Sequence, residues 1–191
     1  MARSYVKTRR AEAEAETRQH IVEAAVALHS EIGPNATTIS MIAERAGVQR
    51  HTVYAHFPDE RTMLMACSGL HLEREPLPDP SVWEAVNDPQ TRLRAALGAL
   101  YGWFERNEAV TGNVLRDAET NPVLREISGM RFGGAFGAMS ASLSPGLGEA
   151  GKAALALAMS FFTWRTLVRE AGLPPDAAVE IMAGLVRDAG A

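Results

Sequence analysis

Six side chains between Gln49 and His56 have the types and spacing to do chemistry together. Gln49, Arg50, His51, Thr52, Tyr54 and His56 supply hydrogen-bond donors at close intervals, and no acid interrupts them. Such a set suits a surface that is negatively charged and rich in acceptors, as the wide groove of double-stranded DNA is. Arg50 carries a planar donor fork able to take guanine O6 and N7 together. His51, on the outer face, is a candidate contact. His56 is a candidate brace.

Two short helices must hold these side chains. Ala43 is small enough for a close crossing, Gly47 is free to take positive φ in the turn, and Val53 is a small branched residue to bury against the first helix. Ile39 and Ile42 complete the shared apolar face. This Ala-x3-Gly-x5-Val spacing is the sequence form of a helix-turn-helix. A plain helical hairpin with a polar outer face would have the same spacing. Thr37 or Thr38 is placed to cap the first helix with a hydroxyl oxygen.

The stretch resembles the TetR family of dimeric transcriptional regulators. The resemblance lies in Thr37-Thr38, in Ile42-Ala43-Glu44-Arg45-Ala46-Gly47-Val48 and in Thr52-Val53-Tyr54-Ala55-His56-Phe57-Pro58, and extends over about residues 15–65. It implies that Thr38 opens its helix beside a phosphate and that Gln49, Arg50 and His51 face base edges. It further implies that Thr52, Tyr54 and His56 bind phosphates or brace the helix. The chain departs from the pattern twice. His51 is bulky where a small residue or proline is usual, and Glu60 stands where a lysine usually meets a phosphate, with Arg61 next to it as a substitute.

The rest of the chain reads as helices, without alternating strand patterns. Expected helices cover about 12–32, 38–46, 49–57, 59–75, 90–107, 108–119, 122–143, 149–171 and 176–189, so the fold class is all-α with about nine helices. Two domains are expected. Residues 1–58 form an N-terminal arm and DNA-binding unit, and residues 59–191 form a helical regulatory and dimerisation domain. The proline-rich run at 76–80 is the sharpest local break.

The formal net charge of the 191 residues is -4, which by itself disfavours nucleic acid. Its distribution does not. Arg3, Lys7, Arg9 and Arg10 stand in the first ten residues with no acid among them. A basic arm on a near-neutral head can reach phosphates while an acidic bulk limits unspecific adhesion. Arg9, Arg10, Thr37 and Arg61 therefore join the candidate DNA contacts. A single cysteine, Cys67, excludes an internal disulfide and a cysteine-rich metal site. Apolar runs are too short for a membrane span, and the N-terminus has no apolar stretch behind its basic residues. A cytoplasmic setting is expected, with no metal and no cofactor.

Aromatics gather in the C-terminal part. Leu100, Trp103, Phe104, Phe132, Phe136, Met139 and Phe162, with Asn113, Arg116 and Arg165 as polar groups, are candidates for a small-molecule effector pocket. Gly129, Gly133, Gly134 and Gly137 weaken the helix bearing Phe132 and Phe136 and suit a yielding wall. The helix near 149–171 is apolar nearly all round and must be covered on both sides. Leu155, Met159, Phe161, Trp164 and Val168, with Val179, Met182 and Val186 on the last helix, either fill one protomer core or form the four-helix dimer seam that the resemblance implies.

The expected function is a ligand-responsive regulator, most simply a repressor, that binds a palindromic operator as a homodimer and is released by a small, largely apolar effector. A helical protein-interaction module with weakened DNA binding is the alternative, with Glu60 as its clue. Enzyme chemistry is disfavoured. No phosphate-cradling glycine loop, HExxH or nucleophile elbow occurs, and Cys67 falls among core leucines.

Overall fold

A computed structural model describes residues 2–190, with side chains from residue 9 onward. The helices are α1 (Ala2–Glu31), α2 (Ile39–Ala46), α3 (Arg50–His56), α4 (Glu60–Arg74), α5 (Ser81–Glu84), α6 (Pro89–Arg106), α7 (Glu108–Ala118), α8 (Pro122–Leu143), α9 (Glu149–Ala158), α10 (Phe161–Arg165) and α11 (Pro175–Gly190). A π-helical turn, Thr166–Glu170, prolongs α10. No strand occurs among the described residues. Helix α1 begins ten residues before the expected start at 12, and α5 was not anticipated.

The chain forms two compact units. The first comprises residues 1–76 and 112–131, the second residues 77–111 and 132–191. The sequence places a division at 58/59; by packing, α4 sits with the first unit. Helix α4 gives Met63 and Cys67 to the same apolar cluster as Ile21, Val22, Ala25 and Leu28 of α1, Ile42 and Ala43 of α2, and Val53 of α3. Leu64, also on α4, packs with Ala118, Leu124 and Ile127 of the α7–α8 corner. The proline-rich run does fall at the boundary, since Pro76 closes the first stretch and Leu77 opens the second.

In the second unit the helix expected over 149–171 is interrupted at Met159 and Ser160. Ser160 is extended, at φ -76° and ψ 133°. The carbonyl of Ala158 instead accepts a hydrogen bond from the Tyr101 hydroxyl at 2.9 Å. The eight residues proposed for a dimer seam are covered by their own chain. Leu155 and Trp164 are 0% exposed, and Met159, Phe161, Val168, Val179, Met182 and Val186 are buried as well. Of the two possibilities open in the sequence, these residues take the protomer core, because α9, α10 and α11 turn their bulkier faces inward. Leu157, Phe162, Ile181 and Leu185 of the same helices remain about half exposed.

Among the described residues no helix is long and apolar enough to cross a membrane. Nor do three or more His, Cys, Asp or Glu side chains gather as a metal site there.

Candidate nucleic-acid interface

Local signals in the sequence set the geometry of α2 and α3. Thr38 is extended and its hydroxyl oxygen accepts from the Met41 N–H at 3.2 Å, which caps α2. Thr37 uses its hydroxyl differently, donating to the Gly33 carbonyl at 2.8 Å. That bond braces the turn before α2. Gly47 adopts φ 67° and ψ 29°, a left-handed exit that a side chain would strain. Val48 N–H then closes back on the Ala43 carbonyl at 3.0 Å. Ala43 and Val53 are 3% and 0% exposed, so the crossing of α2 and α3 is sealed by those two residues.

Burial of Val53 turns the other side of α3 outward. Gln49, Arg50, His51 and Tyr54 are exposed, while Thr52 and His56 are half-buried. The donor-rich set therefore shares one accessible face, with the two intended braces nearer the core. Arg45 anchors α2 from behind through a two-pronged ion pair to Glu31 at 2.6 and 2.8 Å. The end of α3 is held by Phe57, 1% exposed, whose ring lies 4.7 Å beneath the Arg18 guanidinium of α1. No periodic signal in the sequence singled out Arg18. Arg9 and Arg10 are exposed on α1. Arg3 and Lys7 lie outside the residues whose side chains are described.

Two charged residues at the start of α4 are engaged within their unit. The Arg61 guanidinium meets both oxygens of Glu126 at 2.7 and 2.8 Å. That pairing holds the Glu126 carboxyl below its usual range. Glu60 is engaged as well. One of its oxygens accepts from the Asn121 amide at 2.7 Å. A groove of about 460 Å³ runs between the ends of these helices, with His29, Tyr54, Phe57 and Glu60 in its wall.

The candidate effector residues are divided between the two units. Asn113 and Arg116 belong to the first unit. The Asn113 amide donates to the carbonyls of His29 and Ser30 at 3.2 and 2.8 Å, capping the end of α1. Arg116 donates to Asp117 at 2.8 Å and to the Ile32 carbonyl at 3.2 Å. Both are spent on closing a turn.

In the second unit Leu100, Trp103 and Phe104 are core residues, each 2% exposed or less. Phe132 lies 6.3 Å from Trp103, ring to ring. Phe136 is half-buried and Met139 buried. Phe162 is 48% exposed. Arg165 is exposed and 3.9 Å from Glu170.

One feature of this unit was not anticipated. Trp164 is packed between Phe161 and Phe104, at 5.4 and 5.9 Å, with Arg169 stacked 5.1 Å from its ring. Its indole N–H has no hydrogen-bond partner among the described residues. A buried donor left unmade costs free energy.

Two titratable groups in the head are displaced by burial. His29, 7% exposed, has its pKa lowered to about 4 by loss of hydration, with nearby Asp117 opposing the shift. Burial raises the Cys67 thiol to about 12, against a small opposing pull from Arg18. A thiol so protonated is no nucleophile.

Residues 21–67 match the model of the bacterial regulatory proteins of the tetR family. The chain is 31% identical over 105 residues to the HTH-type transcriptional repressor KstR of Mycolicibacterium smegmatis, over 55% of this chain and 52% of that one. It is 47% identical over 45 residues to the HTH-type transcriptional regulator AcrR of Shigella flexneri, over 24% of this chain and 21% of that one. It thus spans about half the length of the KstR relative and less of the other. Among solved structures, a transcriptional regulator from Rhodococcus sp. Rha1 superposes with a TM-score of 0.66, covering 90% of this chain and 96% of that one at 23% identity. Likeness at that identity establishes the fold alone.

Proposed function

We propose that this chain, whose residues 21–67 match the TetR family model, is a transcriptional regulator of that family and represses transcription by holding a palindromic operator as a homodimer until a small, largely apolar effector releases it. One observation carries the reading. Arg50, His51 and Tyr54 share the exposed side of a helix whose other side is locked by Val53 and Gly47. Arg50 and His51, with Gln49 just before them, read base edges. Thr38 and Tyr54 meet phosphates, and Arg9 and Arg10 add backbone contacts without reading sequence.

Physical economy favours the dimer. Helix α3 has seven residues, so it spans about 10 Å and reads only a few base pairs. Two copies on half-sites separated by one or more turns of DNA gain affinity and specificity together. The half-exposed Leu157, Phe162, Ile181 and Leu185 are the apolar surface available for a second copy. Effector binding belongs to the second unit, where the unpaired Trp164 N–H sits in an aromatic cluster beside a π-helical turn. Such turns occur often at functional sites. The effector must favour one spacing of the two α3 helices over another, since equal affinity for both would shift nothing.

The test is selection of bound duplexes from a random pool, followed by a screen of small molecules for release. Recovery of a palindromic site whose affinity falls steeply with salt supports the reading. Retention of no duplex at low salt defeats it. Sedimentation of the Ile181→Glu variant examines the dimer, with a shift to monomer expected.

A further inference from the structure

The α7–α8 corner reaches into the head at three places. Asn113 takes the carbonyls of His29 and Ser30 near the end of α1, and Arg116 takes that of Ile32 just beyond it. Asp117 takes the turn between α1 and α2, where its Oδ2 accepts from the Asn35 N–H at 2.9 Å. The Asn35 amide returns to the Asp117 carbonyl at 3.3 Å and to Thr120 Oγ1 at 3.2 Å. Asn121 then bridges two segments. Its amide donates to Asn35 Oδ1 at 3.0 Å and to Glu60 Oε1 at 2.7 Å.

The geometry has a specific outcome. Asn35 lies just ahead of Thr38, the cap of α2, and Glu60 is the first residue of α4. Asn121 therefore links the openings of the two helices. Asp117 fixes one of them through a carboxylate that is 5% exposed. Gly33, at φ 92°, admits this approach, because a Cβ there would meet the guanidinium of Arg116 and the carboxylate of Asp117. None of these side chains belongs to the apolar cluster that holds α1 to α4 together.

We propose that Asp117 and Asn121 are positioning residues for DNA binding, holding the starts of α2 and α4 at the separation the phosphate backbone requires. The proposal rests on the DNA-binding reading. It assigns a role to residues that lie more than fifty positions beyond the helix-turn-helix in the chain. It also gives Glu60 a function at a position where it cannot attract a phosphate. Its carboxylate is the acceptor that ties α4 to the corner. Positioning of this kind sets how many phosphates are met at once, and leaves the base-reading face of α3 unaltered.

The experiment uses the full chain and the duplex selected from the random pool. Asp117→Asn removes the charge, and Asn121→Ser removes both bridging donations while keeping an oxygen to cap α8. Each variant, once shown to be folded by circular dichroism, is titrated against duplex at several salt concentrations. The expected result is roughly tenfold weaker binding, a salt slope smaller by about one and an unchanged base preference. A change of stability alone in a folded variant would not move the slope. Wild-type affinity and slope in the folded variants overturn the proposal, as does weaker binding with an unchanged slope. Should Asp117→Asn fail to fold, Asn121→Ser decides the matter. If the wild-type chain itself holds no duplex, the DNA-binding reading fails first, which is distinguishable from wild-type binding with unaffected variants.

Discussion

Arg61 and Glu126 meet in a two-pronged ion pair, with both N–O distances under 3 Å, although 65 positions separate them in the chain. The pair takes the one cation at the start of α4 that could have met a phosphate. Both groups are exposed, so its worth to stability is small. On the proposed reading its weight falls on binding. In Glu126→Gln the guanidinium is freed, and affinity for the selected duplex should rise with a salt slope steeper by about one. Unchanged affinity and slope would show that Arg61 lies out of reach of the backbone.

On the proposed reading, Arg50 is the base reader with the most specific geometry. Arg50→Ala should cost about 1–3 kcal/mol in binding and relax selectivity at one position of each half-site. A repeated selection with the variant checks this. Uniform weakening at every position would reassign Arg50 to the backbone.

His29 makes stability depend on pH. Its pKa is lowered to about 4 in the folded chain, against about 6.5 when unfolded. The unfolded chain therefore binds the extra proton first as pH falls, and stability is lost from about pH 6.5 down to 4. The loss is bounded by about 3 kcal/mol. His71, also lowered by burial, acts in the same direction. Urea unfolding between pH 7 and pH 5 should show the decline, and His29→Gln should flatten most of it. A slope unaltered by that substitution would assign the effect elsewhere.

Trp164→Phe removes a buried donor that has no partner among the described residues. Stability should hold or rise by up to about 1 kcal/mol, since the desolvation cost of the N–H disappears with it. If that donor recognises the effector, the variant should still bind operator but need more than tenfold higher effector for release. A loss of stability of about 3 kcal/mol would instead mark the indole as a packing element alone.

The short-range devices were legible in the sequence. Thr38, Ala43, Gly47 and Val53 act within one helix-turn-helix, so their spacing alone prescribes the capping, the turn and the buried contact. What escaped depends on partners far along the chain. Asn113 and Arg116 looked like pocket residues because their acceptors, the carbonyls at the end of α1, lie more than eighty positions away. The break at Ser160 was hidden because Tyr101 claims the Ala158 carbonyl. A helix apolar on every side does not declare which face turns inward. For that reason the sequence leaves Leu155 and Trp164 between core and seam, whereas in the folded chain both are buried and Leu157 and Phe162 are the exposed residues.

The deep seat of Cys67 has a practical corollary. With a thiol protonated up to about pH 12 and shielded by α1 and α4, the native chain offers maleimides almost nothing to attack. A cysteine introduced at Ala55, on the exposed side of α3, would take a fluorophore by itself. On the proposed reading, the spacing of α3 in two copies could then be followed by energy transfer between labelled copies as duplex and candidate effectors are added.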